Sequence, residues 1–189
     1  MNSGNFAAMK VYAETERLRL RELVPADVDG FFEMDSDPDV HIYLGSQPLQ
    51  QKEQAANAIQ FIRQQYIDNG IGRWAVIEKN TNTFVGWAGL KLITEPTNNH
   101  INYLDLGYRL SKKYWGKGYA SEAAAASLTY AFNELYANQV YAIADCNNTA
   151  SNRILLKTGL ILVETFVHHH VPCNWYKTDR LTFESKQLK

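Results

Sequence analysis

Cysteine is scarce in this chain, with Cys146 and Cys173 the only two among 189 residues. Two cysteines cannot staple a disulfide scaffold, and their spacing suits no metal site, so they fit a reduced, cytoplasmic protein. Long apolar runs are also missing: no stretch approaches the roughly 20 residues that span a bilayer, so no membrane partner is expected. Nor is there an excess of charge. Nineteen basic side chains face 20 acidic ones, a net charge of −1, which argues against a broad nucleic-acid footprint. Met1 to Lys10 lacks a basic leader ahead of an apolar run, so it reads as a frayed arm and not as a signal peptide. Repeats at solenoid periods are absent. What remains is an ordinary globular composition, 46% hydrophobic and 21% charged, long enough to bury one substantial core. The expected organisation is a flexible arm over 1–12 and a single domain over 13–189.

Periodicity supplies the elements. Arg17-Leu-Arg-Leu-Arg21 alternates strictly and predicts a half-buried strand with Leu18 and Leu20 inward. Pro25 opens a short helix carrying Val28, Phe31 and Phe32, which Pro38 stops. Ala55, Ile59, Ile62 and Tyr66 recur at helical spacing between Gln51 and Asp68, and Gly70 ends that helix. Strands are predicted over Arg73 to Glu78 and Phe84 to Ile93, joined by a polar hairpin loop, and over Tyr103 to Leu110. An alanine-rich helix follows from Glu122 to Leu135, then a short strand from Val140 to Ala144. Asn148 to Thr158 reads as another helix. Leu160 to Val167 and Tyr176 to Phe183 read as final strands around a His/Pro/Asn loop. The order implies an α+β, or mixed α/β, domain with a mainly antiparallel sheet and one locally parallel, helix-linked pair.

The stretch from Tyr103 to Ala123 is the most informative. A strand runs into a glycine-containing turn and then a helix start, which leaves backbone N–H groups unpaired beside the positive end of a helix dipole. Gly116 and Gly118 bring no Cβ to keep a phosphate away, and Lys112, Lys113 and Lys117 add positive charge. The pattern is not a P-loop, because Tyr119 follows Gly118 where Lys would stand. It is not the dinucleotide fingerprint either, because Ser121 replaces the third glycine.

These residues resemble the acyl-CoA loop of the GNAT acetyltransferases, in which Arg or Gln, two residues on, precedes Gly-x-Gly/Ala. Lys113-Tyr-Trp115-Gly116-Lys117-Gly118-Tyr119-Ala120 follows that pattern with Lys113 in place of Arg or Gln. Asp105-Leu-Gly-Tyr108-Arg109-Leu110 and Asn148-Thr-Ala-Ser151-Asn152-Arg-Ile-Leu-Leu-Lys-Thr-Gly159 are similar to motifs of the RimJ/RimL-like branch, which acetylates ribosomal-protein N-termini. Thr15 to Glu22, Trp74 to Glu78 and Phe84 to Trp87 extend the likeness across nearly the whole chain. The resemblance implies a GNAT fold with a central, mainly antiparallel, seven-stranded sheet and about four helices. It also implies acetyl-CoA as cosubstrate, no metal, an amine acceptor that is a peptide N-terminus or a small molecule, and a monomer or homodimer.

Carried over residue by residue, the resemblance assigns the cosubstrate to Tyr108, Arg109, Leu110, Lys113, Trp115, Gly116, Lys117, Gly118, Tyr119, Ala120, Asn148 and Asn152. Asp105 stands where the branch has Glu and is the candidate base; its other reading is a structural ion pair with Arg109 or with a neighbouring strand's cation. A backbone N–H near Tyr108, freed by a bulge, is the implied oxyanion donor. The helical tyrosine that many family members use to protonate the thiolate is absent from Ile154-Leu-Leu156, which leaves Ser151. Asn148 and Ser151 are also good candidates for helix capping. His168-His-His170 cannot converge on one metal from a strand, because successive side chains alternate faces; a solvated end or a contact at the substrate rim remains. Cys146 reads as a small buried residue. The substrate rim is expected from Ile42 to Gln50, Thr94 to Ile101 and the His/Pro/Asn loop. Rival readings are a small-molecule amine acetyltransferase and an inactive acyl-CoA-binding domain.

Overall fold

A computed structural model describes residues 9–187 of the chain. Its strands are β1 (Val11–Glu14), β2 (Leu18–Glu22), β3 (Arg73–Glu78), β4 (Thr83–Ile93), β5 (Tyr103–Leu110), β6 (Gln139–Asp145), β7 (Ile161–His168) and β8 (Val171–Asp179). Its helices are α1 (Val28–Asp35), α2 (Lys52–Asn69), α3 (Tyr119–Asn133), α4 (Thr149–Lys157) and α5 (Arg180–Gln187). The eight strands form one sheet in the order β1-β2-β3-β4-β5-β6-β8-β7. All neighbours are antiparallel except β5 and β6. This is the expected α+β architecture, with one more strand and one more helix than the sequence suggests.

Both additions have physical causes. The expected arm over 1–12 loses its last two residues to β1, where Tyr12 stacks on Trp74 with ring centroids 4.6 Å apart and meets Tyr130 edge-on. A buried aromatic at that position fixes the strand. The earlier part of the arm, residues 1–8, lies outside the described residues. At the other end, the strand expected over Tyr176 to Phe183 stops at Asp179, whose Oδ1 accepts the Thr182 amide at 2.8 Å and caps α5.

The sheet is covered on both faces, and strand alternation decides which side chains go where. Trp74, Val76, Ala88 and Leu90 pack with Ala123, Ala124, Leu128 and Phe132 of α3 and with Leu155 of α4. Ala75 and Ile77, with Trp87 beside them, pack with Phe31 of α1 and with Ala55 and Ile59 of α2. The small side chains of Ala123 and Ala124 are fully buried, so α3 lies close against the sheet. No helix among the described residues is long and apolar enough to cross a membrane.

One junction in this sheet matters for function. β5 and β6 pair only at Leu104↔Val140 and Asp105↔Tyr141. Beyond Asp105 the two strands part, although β5 continues to Leu110 and β6 to Asp145.

Candidate active site

The loop before α3 has the form its glycines require. Gly116 and Gly118 take φ of 74° and 81°, the left-handed region that costs an L-residue about 1–2 kcal/mol. Gly118 is the N-cap of α3 and supplies no side-chain cap. Among the described residues, the amides of Gly116 to Ser121 find no acceptor, and the first helical bond runs from Glu122 to the Gly118 carbonyl at 3.0 Å. A Cβ built on Gly116 meets nothing within 4 Å, so the approach is open. This row of outward amides fits a diphosphate.

The surrounding cations divide unequally. Lys113 is held by Glu33 at 2.6 Å, and Lys112 is held by Asp39, so both lysines are committed to α1 and the turn after it. Lys117 has no ion-pair partner among the described residues and lies over the Tyr114 ring, 5.2 Å from its centroid. Trp115 is half-exposed, and its Nε1 donates to the Leu110 carbonyl at 2.8 Å. Arg17 is the residue that sequence reasoning missed here. Its Nη1 donates to the Lys117 carbonyl at 3.0 Å, its Nε donates to Glu122 at 2.7 Å, and its guanidinium lies 4.6 Å from the Tyr119 ring centroid. Burial alone would raise the Glu122 carboxyl, but hydrogen bonds from Thr15 and Arg17 outweigh it and hold the group below its ordinary range. The pairing ties the first residues of β2 to the start of α3.

A cavity of about 800 Å³ opens where β5 leaves β6. Asp105, Tyr108, Asn148 and Ser151 line it, together with residues from all three expected rim segments: Tyr43 and Leu44, Thr94 and Glu95, and His168 and His169. The His169–His170 pair turns the β7–β8 hairpin with φ of 47° and 67°, so the expected loop is a two-residue turn and β8 begins at Val171.

Asp105 is buried at this junction. It does not pair with Arg109, whose Nη1 instead donates to Asp35 at 2.8 Å on the α1 side. Its Oδ2 accepts from Arg73 Nη2, whereas Oδ1 has no donor among the described residues. Burial pushes the carboxyl above the ordinary range, against the pull of Arg73, Lys91 and His168. His41, a lone loop histidine in the sequence, is buried with Nε2 3.8 Å from the same Asp35. Burial, reinforced by Arg109, lowers its pKa and favours the neutral ring.

The expected bulge at Tyr108 is not present: β4 and β5 stay in unbroken register from Gly86↔Leu110 to Ile93↔Tyr103. Donors are released by the parting of β5 from β6 instead. Because the Ser111 amide points to Val85 of β4, alternation turns the amides of Tyr108 and Leu110 the other way, into the gap. The Tyr108 hydroxyl lies 3.0 Å from Ser151 Oγ, and burial raises its pKa, keeping the phenol protonated. Asn148 caps α4 by accepting the Ser151 amide at 3.0 Å. Asn152 has no spare capacity. Its Nδ2 donates to the Asp145 and Asn148 carbonyls at 2.9 and 2.7 Å, and its Oδ1 accepts from Asn174 and Tyr176 at 2.8 and 2.6 Å. It therefore ties α4 to β6 and β8, and the cosubstrate contact expected of it has no free amide to use. Cys146 is half-buried, not buried, with its Sγ 3.3 Å from Asn174 Oδ1. Among the described residues, no three His, Cys, Asp or Glu side chains are grouped to hold a metal ion.

An amide-lined helix start beside a cleft through the sheet defines a class, the enzymes that take a diphosphate-bearing acyl donor. Residues 17–161 match the acetyltransferase (GNAT) domain family. The chain is 33% identical over 141 residues to p20 of Bacillus licheniformis, an uncharacterized N-acetyltransferase, covering 75% of this chain and 77% of p20. It is 34% identical over 104 residues to an FsC-acetyl coenzyme A-N(2)-transacetylase of Aspergillus fumigatus, covering 53% of this chain and 43% of that protein. A GNAT acetyltransferase structure from Bacillus anthracis superposes with a TM-score of 0.72 at 26% identity, over 90% of this chain and 97% of that one. The ribosomal L7/L12 acetyltransferase RimL in complex with coenzyme A superposes with a TM-score of 0.75 at 16% identity, over 90% of this chain and 98% of that one, a likeness of fold. The chain belongs to the GNAT family and is an N-acetyltransferase, a class that uses acyl-CoA.

Proposed function

We propose that the protein transfers an acetyl group from acetyl-CoA directly to a primary amine, the α-amine of a peptide or protein N-terminus, as enzymes of the ribosomal-protein branch do. The observation that carries this reading is that Asp105, Tyr108 and Ser151 line one cavity at the gap between β5 and β6. The amine nitrogen attacks the thioester carbon and forms the C–N bond. Its proton passes to Asp105 Oδ1, directly or through water; the carbonyl oxygen, now an anion, is met by the Tyr108 amide. The C–S bond then breaks, and the departing sulfur takes a proton from the Ser151 hydroxyl. An α-amine suits a modest base, because with a pKa near 8 roughly a tenth of it is already neutral at pH 7.

One observation favours a second acceptor class. The cavity is lined by four carboxylates, Asp68, Glu95, Asp105 and Asp145, against the cations Arg73 and Lys91. Such a lining attracts small polyamine-like cations as well as N-terminal ammonium groups, and the transacetylase relative bears the name of a small-molecule enzyme.

Thiol release from acetyl-CoA, followed with peptides and small amines side by side, separates the two. Preference for peptides by kcat/KM supports the N-terminal reading; turnover confined to polyamines or aminoglycosides replaces it. With the best acceptor, Asp105→Asn lowers kcat by about 10²–10⁴, the usual worth of a general base. Higher pH restores part of the rate, because more amine is then neutral unaided. A wild-type rate at pH 7 removes Asp105 from the mechanism.

A further inference from the structure

Arg73 crosses the sheet. Its side chain leaves β3, passes over β4 and ends on β5, at a level where Arg73, Gly89 and Gly107 are in register on three adjacent strands. The path exists because position 107 has no side chain: a Cβ there would stand 2.6 Å from Arg73 Nη2. At the end of the path Nη1 donates to the Gly89 carbonyl at 2.5 Å and to the Asp105 carbonyl at 2.6 Å, and Nη2 donates to Asp105 Oδ2. The guanidinium lies 5.5 Å from the Trp87 ring centroid and is about as buried as the carboxylate it holds, at 11% against 14% side-chain exposure. A planar guanidinium tied to two backbone carbonyls has no freedom to swing, and it cannot shed its proton.

We infer that Arg73 is a positioning residue of the acetyl transfer, fixing the Asp105 carboxylate as an anion with Oδ1 turned toward the cavity. The inference rests on Asp105 as the base. A buried carboxylate without a partner takes up a proton, and a protonated carboxyl cannot accept another from the amine. The other charged and titratable groups facing Asp105 do not replace Arg73. Lys91 of β4 and His168 of β7 act on it through space only, and Tyr103 is its neighbour on β5. Asp145 of β6, Asp68 of α2, Glu95 and His169 share the cavity without a hydrogen bond to it. Arg73 is the hydrogen-bonded cation, and it engages the oxygen that the reaction does not need.

The test compares the full chain with Arg73→Met, Arg73→Lys, Gly107→Ala, Asp105→Asn and the Arg73→Met/Asp105→Asn double variant. The readouts are the pH dependence of kcat/KM with acetyl-CoA and an α-amino peptide, and the Asp105 carboxyl titration followed by ¹³C NMR. Arg73→Met moves both the acid limb and the titration upward by about one pH unit or more. At pH 7 its rate falls about 10-fold or more, and the deficit closes at high pH. Arg73→Lys lies between, the KM for acetyl-CoA changes less than about two-fold, and the double variant is no slower than Asp105→Asn. Gly107→Ala displaces the guanidinium without deleting it, so it gives the same upward shift should Arg73→Met fail to fold. An Asp105 titration left unmoved by Arg73→Met or Gly107→Ala overturns the inference, whether or not an acceptor is turned over. If the titration moves while Asp105→Asn keeps the wild-type rate, the base assignment fails instead, and the catalytic role given to Arg73 is withdrawn with it.

Discussion

Tyr108 and Ser151 reach the same point from different elements, and their hydroxyls are 3.0 Å apart. The helical tyrosine missing from α4 thus has a counterpart on β5, held protonated by burial and able to resupply the serine. Ser151→Ala leaves the α4 cap intact, because Asn148 accepts the backbone amide of residue 151 and not its hydroxyl. The expected loss in kcat is about 10², the low end for an acid catalyst, because a thiol of pKa near 8.5 departs readily. Tyr108→Phe loses less, since Ser151 keeps its own proton. Thiol release at saturating acetyl-CoA measures both, and wild-type rates in both variants assign the proton to water.

Among the elements, the turn before α3 is the most sensitive to a single change. Gly118→Val places a branched side chain on a backbone at φ 81° and in front of the amides of the first turn. The expected result is a lower melting temperature, from about 1–3 kcal/mol of strain, and no further rise when acetyl-CoA is added. A folded variant that acetyl-CoA still stabilises as it does the wild type refutes the loop assignment. This turn was legible in the sequence because its chemistry is local: glycines, a following helix and no alternative cap. β3 and β5 likewise span the predicted Arg73–Glu78 and Tyr103–Leu110, since alternation and the flanking turn residues agree. The last hairpin was not legible. Nothing local marks His169 and His170 for left-handed φ, and Pro172 lies inside β8 where a loop reads more naturally. The Arg73–Asp105 contact was hidden for another reason: its partners are 32 residues apart and meet only through strand register. Glycines at 89 and 107, two strands side by side, were the one sequence trace of it.

At the scale of the whole molecule, the parting of β5 from β6 leaves two wings, one of five strands and one of three, stitched by two residue pairs and bridged by the packing of α3 against α4. A seam this short is the natural line of opening. Because the amides of Tyr108 and Leu110 face the seam, hydrogen exchange there should be fast in the free protein and slow with acetyl-CoA bound. Leu104 and Asp105, already paired across the seam, should change little. Equal protection with and without acetyl-CoA would place the acyl donor elsewhere. An extended donor arm in the seam acts as a removable ninth strand. The wings then close as the substrate arrives and loosen when the product leaves, so turnover and rigidity rise and fall together.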